Sequence, residues 1–175
     1  MALSLPIHKS DGIEMISMIT ARNRAHEYFD THVVPAVEEW RKAPTDIRLA
    51  MSAAVALNQM ADHYWHGFAS VDSGRVFHAE NSKAFRAELA NKNEDWALLR
   101  DVAEAHKHVK LNRPARAVTS AGQAFVISTG FGTTPYGTRP WGGTSSVVIE
   151  LDNGRRVYFS ATVDKVMELW ATLLR

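Results

Sequence analysis

The stretch Leu98-Leu-Arg-Asp-Val-Ala-Glu-Ala-His-Lys-His-Val109 sets Arg100 six positions ahead of His106 and adds Lys107 and His108. A guanidinium holds a phosphate through a fixed fork of N–H donors, and an imidazole exchanges a proton near neutral pH. The run has helical periodicity, so both residues are positions on one helix. Six residues amount to about 240° of rotation, and the two side chains then diverge by about 120° on a straight helix. They meet on one phosphate only where the helix bends, starts near Arg100, or faces a second chain. The same run also reads as an ordinary amphipathic helix that does no chemistry.

Two further constellations carry polar groups at helical spacing. Met15, Ile19, Arg22, His26, Phe29, Val33, Val37 and Trp40 step by three or four residues along one helix face, with Arg22 and His26 in its middle. Burying that pair without partners is costly. If this seam meets the helix carrying His106, then Arg22, His26 and His106 form a buried polar cluster, either a pocket or a network that sets helix register. His63 and His66 lie one turn apart beside Asp62. Two such imidazoles share a metal when a carboxylate joins them, and otherwise they are a solvated helix face.

These residues need helices to position them. A cap at Ser10-Asp11 opens the first helix, and Pro35 is expected to kink or break it near Val34. Pro44-Thr-Asp46 opens a second helix to Gly67, with Ala50, Ala53, Leu57, Ala61, Tyr64 and Phe68 on one face and Arg48, Ser52, Gln59, His63 and His66 opposite. A third helix covers about Asn81 to Asn91, and a fourth runs from about Glu94 to Lys110. On the fourth, Trp96, Leu98, Leu99, Val102, Ala103, Ala105, His106 and Val109 form the apolar arc, while Arg100, Glu104, Lys107 and His108 line the polar side.

After Pro114 the pattern changes. Val118 to Ser128 and Ser146 to Asp152 are rich in β-formers. Asn153-Gly154 predicts a two-residue hairpin turn that pairs Asp152 with Arg155 and Ile149 with Tyr158. A final helix spans about Thr162 to Leu174 and presents Val163, Val166, Met167, Trp170, Leu173 and Leu174 to a core. The expected fold is α+β: a four-helix bundle over residues 1–113, then a small antiparallel sheet and a C-terminal helix over 114–175, packed on the bundle as one unit. The connection 128–145 is dense in Gly, Thr and Pro. It lacks the Gly-Lys-Ser/Thr ending of a phosphate loop. Its Phe131, Tyr136, Arg139 and Trp141 could clasp a partner protein, or it is a plain connection.

Composition narrows the classes. At 175 residues, 46% hydrophobic and 22% charged, the chain can bury a core as an ordinary globular protein. The net charge of +1 supplies no global basic field for nucleic acid or membrane. The absence of cysteine excludes disulfides, thiolate zinc sites and a cysteine nucleophile. Met1 to Ile7 is too short an apolar run for a signal peptide, and no stretch approaches a membrane span. The reading is a soluble cytoplasmic protein.

Arg100, Asp101 and His106, late in a four-helix segment, resemble the arginine–polar–histidine signature of the HEPN ribonucleases. The likeness covers roughly residues 10–112. It implies metal-independent RNA cleavage with no cofactor, in which His106 acts on the 2′-hydroxyl and Arg100 steadies the phosphate. It also implies a site shared across a homodimer of helix faces. Asp101 would stand beside the phosphate, and Arg22, His26, Lys107 and His108 are binding candidates. The Ala105-His-Lys-His108 run, followed by strands and a Trp-containing last helix, resembles a group of uncharacterised bacterial proteins more than it does a known toxin, and that likeness implies no activity. Two functions stay open: an RNA-acting enzyme, and a non-catalytic structural or protein-interaction module whose Arg and His residues serve packing networks.

Overall fold

Pro35 neither breaks nor ends the first helix. The computed structural model describes residues 24–108, 117–127 and 145–175. Residues 24–28 are α-helical, and Phe29–Val33 form a π-helical turn that runs directly into helix α1 (Val34–Lys42). The Val34 N–H donates to the Phe29 carbonyl, five residues back. In a regular α-helix a proline ring clashes with the carbonyl four residues before it and offers that carbonyl no donor. That carbonyl belongs to Thr31, and the wider turn moves it aside without ending the helix.

Helix α2 (Ile47–Phe68) begins where Asp46 accepts the backbone N–H groups of Arg48 and Leu49. Those bonds, led by the one from Leu49, hold the Asp46 carboxyl below its ordinary value. The expected inner face of α2 is buried throughout, and its expected polar face is exposed. Helix α3 (Ser82–Lys92) is capped by the Asn81 side chain. The Asn93 side chain accepts the Trp96 N–H and starts helix α4 (Glu94–His108). Helix α2 packs against α1, α3 and α4.

The sheet is a three-stranded antiparallel meander: β1 (Ala124–Ile127), β2 (Ser146–Glu150) and β3 (Arg156–Tyr158), in that order. Strand β1 is shorter than expected because Ser120 and Gln123 form a capping box around a 3₁₀ turn, Ala121–Gln123. Helix α5 (Phe159–Leu173) follows β3 directly. The architecture is α+β.

The hairpin register differs by one residue from the expected one. Ile149 pairs with Val157 and Val148 with Tyr158, and the Leu151 N–H donates to the Arg155 carbonyl. A two-residue turn over Asn153-Gly154 needs positive φ at both positions, and only Gly154 has it, at 81°. Asp152 therefore joins the loop, where its N–H donates to the Ala117 carbonyl and its carboxylate accepts the Gln123 amide. The slip matters because it sets which face each residue occupies: Ile149 is sealed in the core and Tyr158 is exposed. A Cβ at Gly154 would meet no neighbour. Gly154→Ala should therefore lose about 1–2 kcal/mol through backbone conformation alone, read as a lower urea midpoint at unchanged slope.

One apolar cluster runs through the helices and the sheet. Trp170 of α5 is fully buried, and its indole N–H donates to the Leu57 carbonyl of α2 at 3.2 Å. Among the described residues no helix is long and apolar enough to cross a membrane. The expected cap at Ser10-Asp11, the seam from Met15 to Arg22, Lys110, and residues 128–144 with Phe131, Tyr136, Arg139 and Trp141 lie outside the described residues.

Candidate functional site

Arg100 and Asp101 form a closed pair on α4. The Arg100 guanidinium donates to Asp101 Oδ1 through Nε at 3.2 Å and Nη2 at 3.0 Å. The other carboxylate oxygen accepts the Ala117 N–H at 3.0 Å. Asp101 is 2% exposed, so this contact ties the chain beyond α4 back onto the helix. The guanidinium also lies over the Trp96 ring, 5.7 Å from its centroid. The pair lines a cleft of about 370 Å³ whose other charged walls include Asp95, Arg155 and Lys165.

His106 lines a different space. It borders an open groove of about 470 Å³ between α2 and the helix that ends in α1. The two motif residues therefore do not meet within one chain, as their angular separation predicts. The expectation that His106 is buried is corrected: it is exposed, in the last turn of α4, and Asp101 occupies the interior instead. Periodicity gives the direction of a side chain but not how far along the helix its neighbours reach. Around Asp101 they reach far enough, and its two carboxylate oxygens are satisfied by Arg100 and Ala117. At His106 the neighbouring helices leave the groove open. Lys107 and His108 are exposed in the same last turn.

Of the expected cluster of Arg22, His26 and His106, only the two histidines are described, and they do not share one groove wall. Arg22 lies outside the described residues. His26 Nε2 contacts the Leu174 carbonyl at 3.0 Å, at the end of α5, and His26 is not part of the groove wall that holds His106.

The groove holds residues that the motifs did not single out. Tyr28 and His32 line it, together with Thr31, Glu39 and Gln59. The Tyr28 ring is sandwiched: His32 stacks on it at 4.7 Å and His63 at 3.6 Å, each 10° from parallel. The Tyr28 hydroxyl donates to Gln59 Oε1 at 3.0 Å. Burial, and then the Asp62 carboxylate, push the Tyr28 phenol above its ordinary value. Desolvation pulls His63 below the ordinary imidazole value, with His32 and His66 adding to the effect against Asp62. The signal for this site was present in the sequence as Tyr28 and His32 one turn apart, with Pro35 just beyond them. Its meaning depends on α2 supplying His63 and Gln59.

His63 is thus spent on a ring stack, and His66 meets Trp65 edge-on at 4.9 Å. The neighbouring Asp62 is held by Ser82 Oγ and by Arg86 Nη1, the latter at 2.9 Å. Among the described residues no three His, Asp or Glu side chains gather as a metal-binding group.

Arg86 anchors a second polar network that sequence reasoning missed. Its Nη2 donates to Asn58 Oδ1 at 2.8 Å and lies 3.5 Å from Glu104 Oε1. Asn58 is 1% exposed. This network joins α2, α3 and α4. Compared with protein-family models, with curated proteins and with solved structures, the chain matches none.

Proposed function

We propose that this chain acts on RNA without a metal, with His106 as a proton-transfer residue in the groove beside α1 and α2. The observation that carries this reading is the placement of His106 on an open groove that a second histidine, His32, also lines. Two imidazoles at one site supply the acid and the base that phosphodiester cleavage needs near neutral pH. The likeness to HEPN ribonucleases adds a phosphate clamp, Arg100. Because Arg100 and His106 border different clefts of one chain, the arginine can serve this site only from a second copy. Such an enzyme would work in the cytoplasm as a homodimer.

A second reading rests on the Arg100–Asp101–Ala117 contact. There the motif's arginine and aspartate hold the fold together, and the protein is a non-catalytic interaction module. One experiment separates the two. Purified protein is incubated with single-stranded and structured RNAs in excess EDTA. The enzyme reading expects cleavage, and a loss of at least about 100-fold in His106→Ala with unchanged thermal unfolding. Intact RNA with the wild-type chain leaves the interaction module as the function.

A further inference from the structure

The groove assigns different protonation roles to its two histidines. Resting on the RNA reading above, we propose that His32 is the general base that takes the 2′-hydroxyl proton of an RNA strand, and that His106 is the general acid.

The argument begins at Pro35. The π-turn it imposes, Phe29–Val33, carries Thr31 and His32 into the groove wall, and π-turns inside α-helices are frequent at functional positions. Thr31 Oγ1 lies 2.5 Å from the Glu27 carbonyl oxygen and 2.8 Å from His32 Nδ1. A hydroxyl has one proton, and a carbonyl oxygen has none. Two oxygens that close need the proton between them, so Thr31 donates to Glu27. Toward His32 the hydroxyl oxygen can then only accept. Nδ1 must therefore carry the hydrogen, and in the neutral imidazole Nε2 keeps the lone pair. That is the form a general base requires.

The ring's orientation is held as well. His32 stacks on Tyr28, whose other face is covered by His63 and whose hydroxyl is tied to Gln59. Preorganisation of this kind removes the need to reorient the base during reaction. Among the described residues, the titratable groups around His32 are Tyr28, which stacks on it, His63 of α2 behind Tyr28, and Glu39 and His106, which line the same groove.

The substrate class follows from the chemistry. His32 Nε2 accepts the 2′-hydroxyl proton as the 2′-oxygen attacks the adjacent phosphorus. The bond from phosphorus to the 5′-oxygen breaks, and the imidazolium of His106 donates its proton to that leaving oxygen. The products are a 2′,3′-cyclic phosphate and a 5′-hydroxyl. Neither water, metal nor redox partner is consumed. DNA, which has no 2′-hydroxyl, is not a substrate.

The test has two independent arms. In the first, the ¹⁵N-labelled full-length chain is examined by long-range ¹H–¹⁵N NMR above pH 8. His32 is expected with hydrogen on Nδ1, and Thr31→Val is expected to shift it toward the Nε2–H form. His32 found in the Nε2–H form in the wild type overturns the inference without touching the RNA reading. In the second arm, a DNA strand containing one ribonucleotide is cleaved across a pH series, with an all-DNA strand alongside. A bell-shaped profile is expected, with mass spectrometry finding a cyclic phosphate. His32→Asn keeps a donor for Thr31 but has no basic nitrogen. It should lose about 100-fold in rate and the acidic limb of the profile. His106→Ala should lose the alkaline limb. Full activity in His32→Asn alongside an inactive His106→Ala overturns the inference and leaves the RNA reading standing. A wild-type chain that cuts no ribonucleotide-containing strand overturns both.

Discussion

Asp101→Ala is expected to destabilise the fold by about 3–5 kcal/mol, the range for a buried charge left without its partner. Among the described residues the carboxylate serves two part-buried donors, the Arg100 guanidinium and the Ala117 N–H, and water reaches only 2% of Asp101 itself. Alanine strands both donors, and each keeps its desolvation penalty. The Arg100 side chain, 18% exposed, cannot fully turn to water. Asp101→Asn keeps one acceptor and should lose less. Replacing both residues by apolar ones, Arg100→Met with Asp101→Leu, should recover much of the loss, because the pair's benefit lies in mutual satisfaction. Urea unfolding at constant slope measures all three variants. A loss under about 1 kcal/mol for Asp101→Ala, the size expected of a surface pair, would return Asp101 to the surface role that the arginine–histidine motif suggests.

Arg86→Ala carries an expectation of similar size, again about 3–5 kcal/mol. One guanidinium joins three helices: Asp62 and Asn58 of α2, Arg86 itself on α3, and Glu104 of α4. Its removal leaves the Asp62 and Glu104 carboxylates without this counter-charge and the buried Asn58 amide without this donor. For a chain of this size the loss corresponds to a fall in Tm on the order of 10 °C. Arg86→Lys should restore only part, since one ammonium cannot reproduce the planar fork. The Arg86 and Arg100 guanidiniums both lie over the Trp96 ring, at 5.8 and 5.7 Å. The two losses should therefore fail to add in Arg86→Ala/Asp101→Ala, by at least about 0.5 kcal/mol. Simple additivity would show that Trp96 does not couple them.

Much of the architecture was legible in the chain because it is written in neighbours. Asp46, Asn81 and Asn93 each reach a backbone N–H two or three residues on, so the starts of α2, α3 and α4 needed no tertiary information. The alternation of Ala50, Ala53, Leu57, Ala61, Tyr64 and Phe68 with polar residues likewise named the buried side of α2. Asn153-Gly154 announced a hairpin, but its register was settled by Ala117 and Gln123, which pull Asp152 into the loop from outside the turn.

The site was not legible in that way. Tyr28 meets His63, and His26 meets Leu174, 148 residues away. The spacing of Arg100 and His106 was plain from the start, and so was their divergence. Which groove each would border was decided only when α2 and α5 packed against α4. Backbone geometry repeats every few residues and can be read from a local pattern. A site is a place where helices distant in the chain meet or fail to cover each other. The sequence by itself determined the helices, the hairpin and the absence of any thiol chemistry. Tertiary packing alone sealed Asp101, left His106 open, and put His32 on the wall of the same groove.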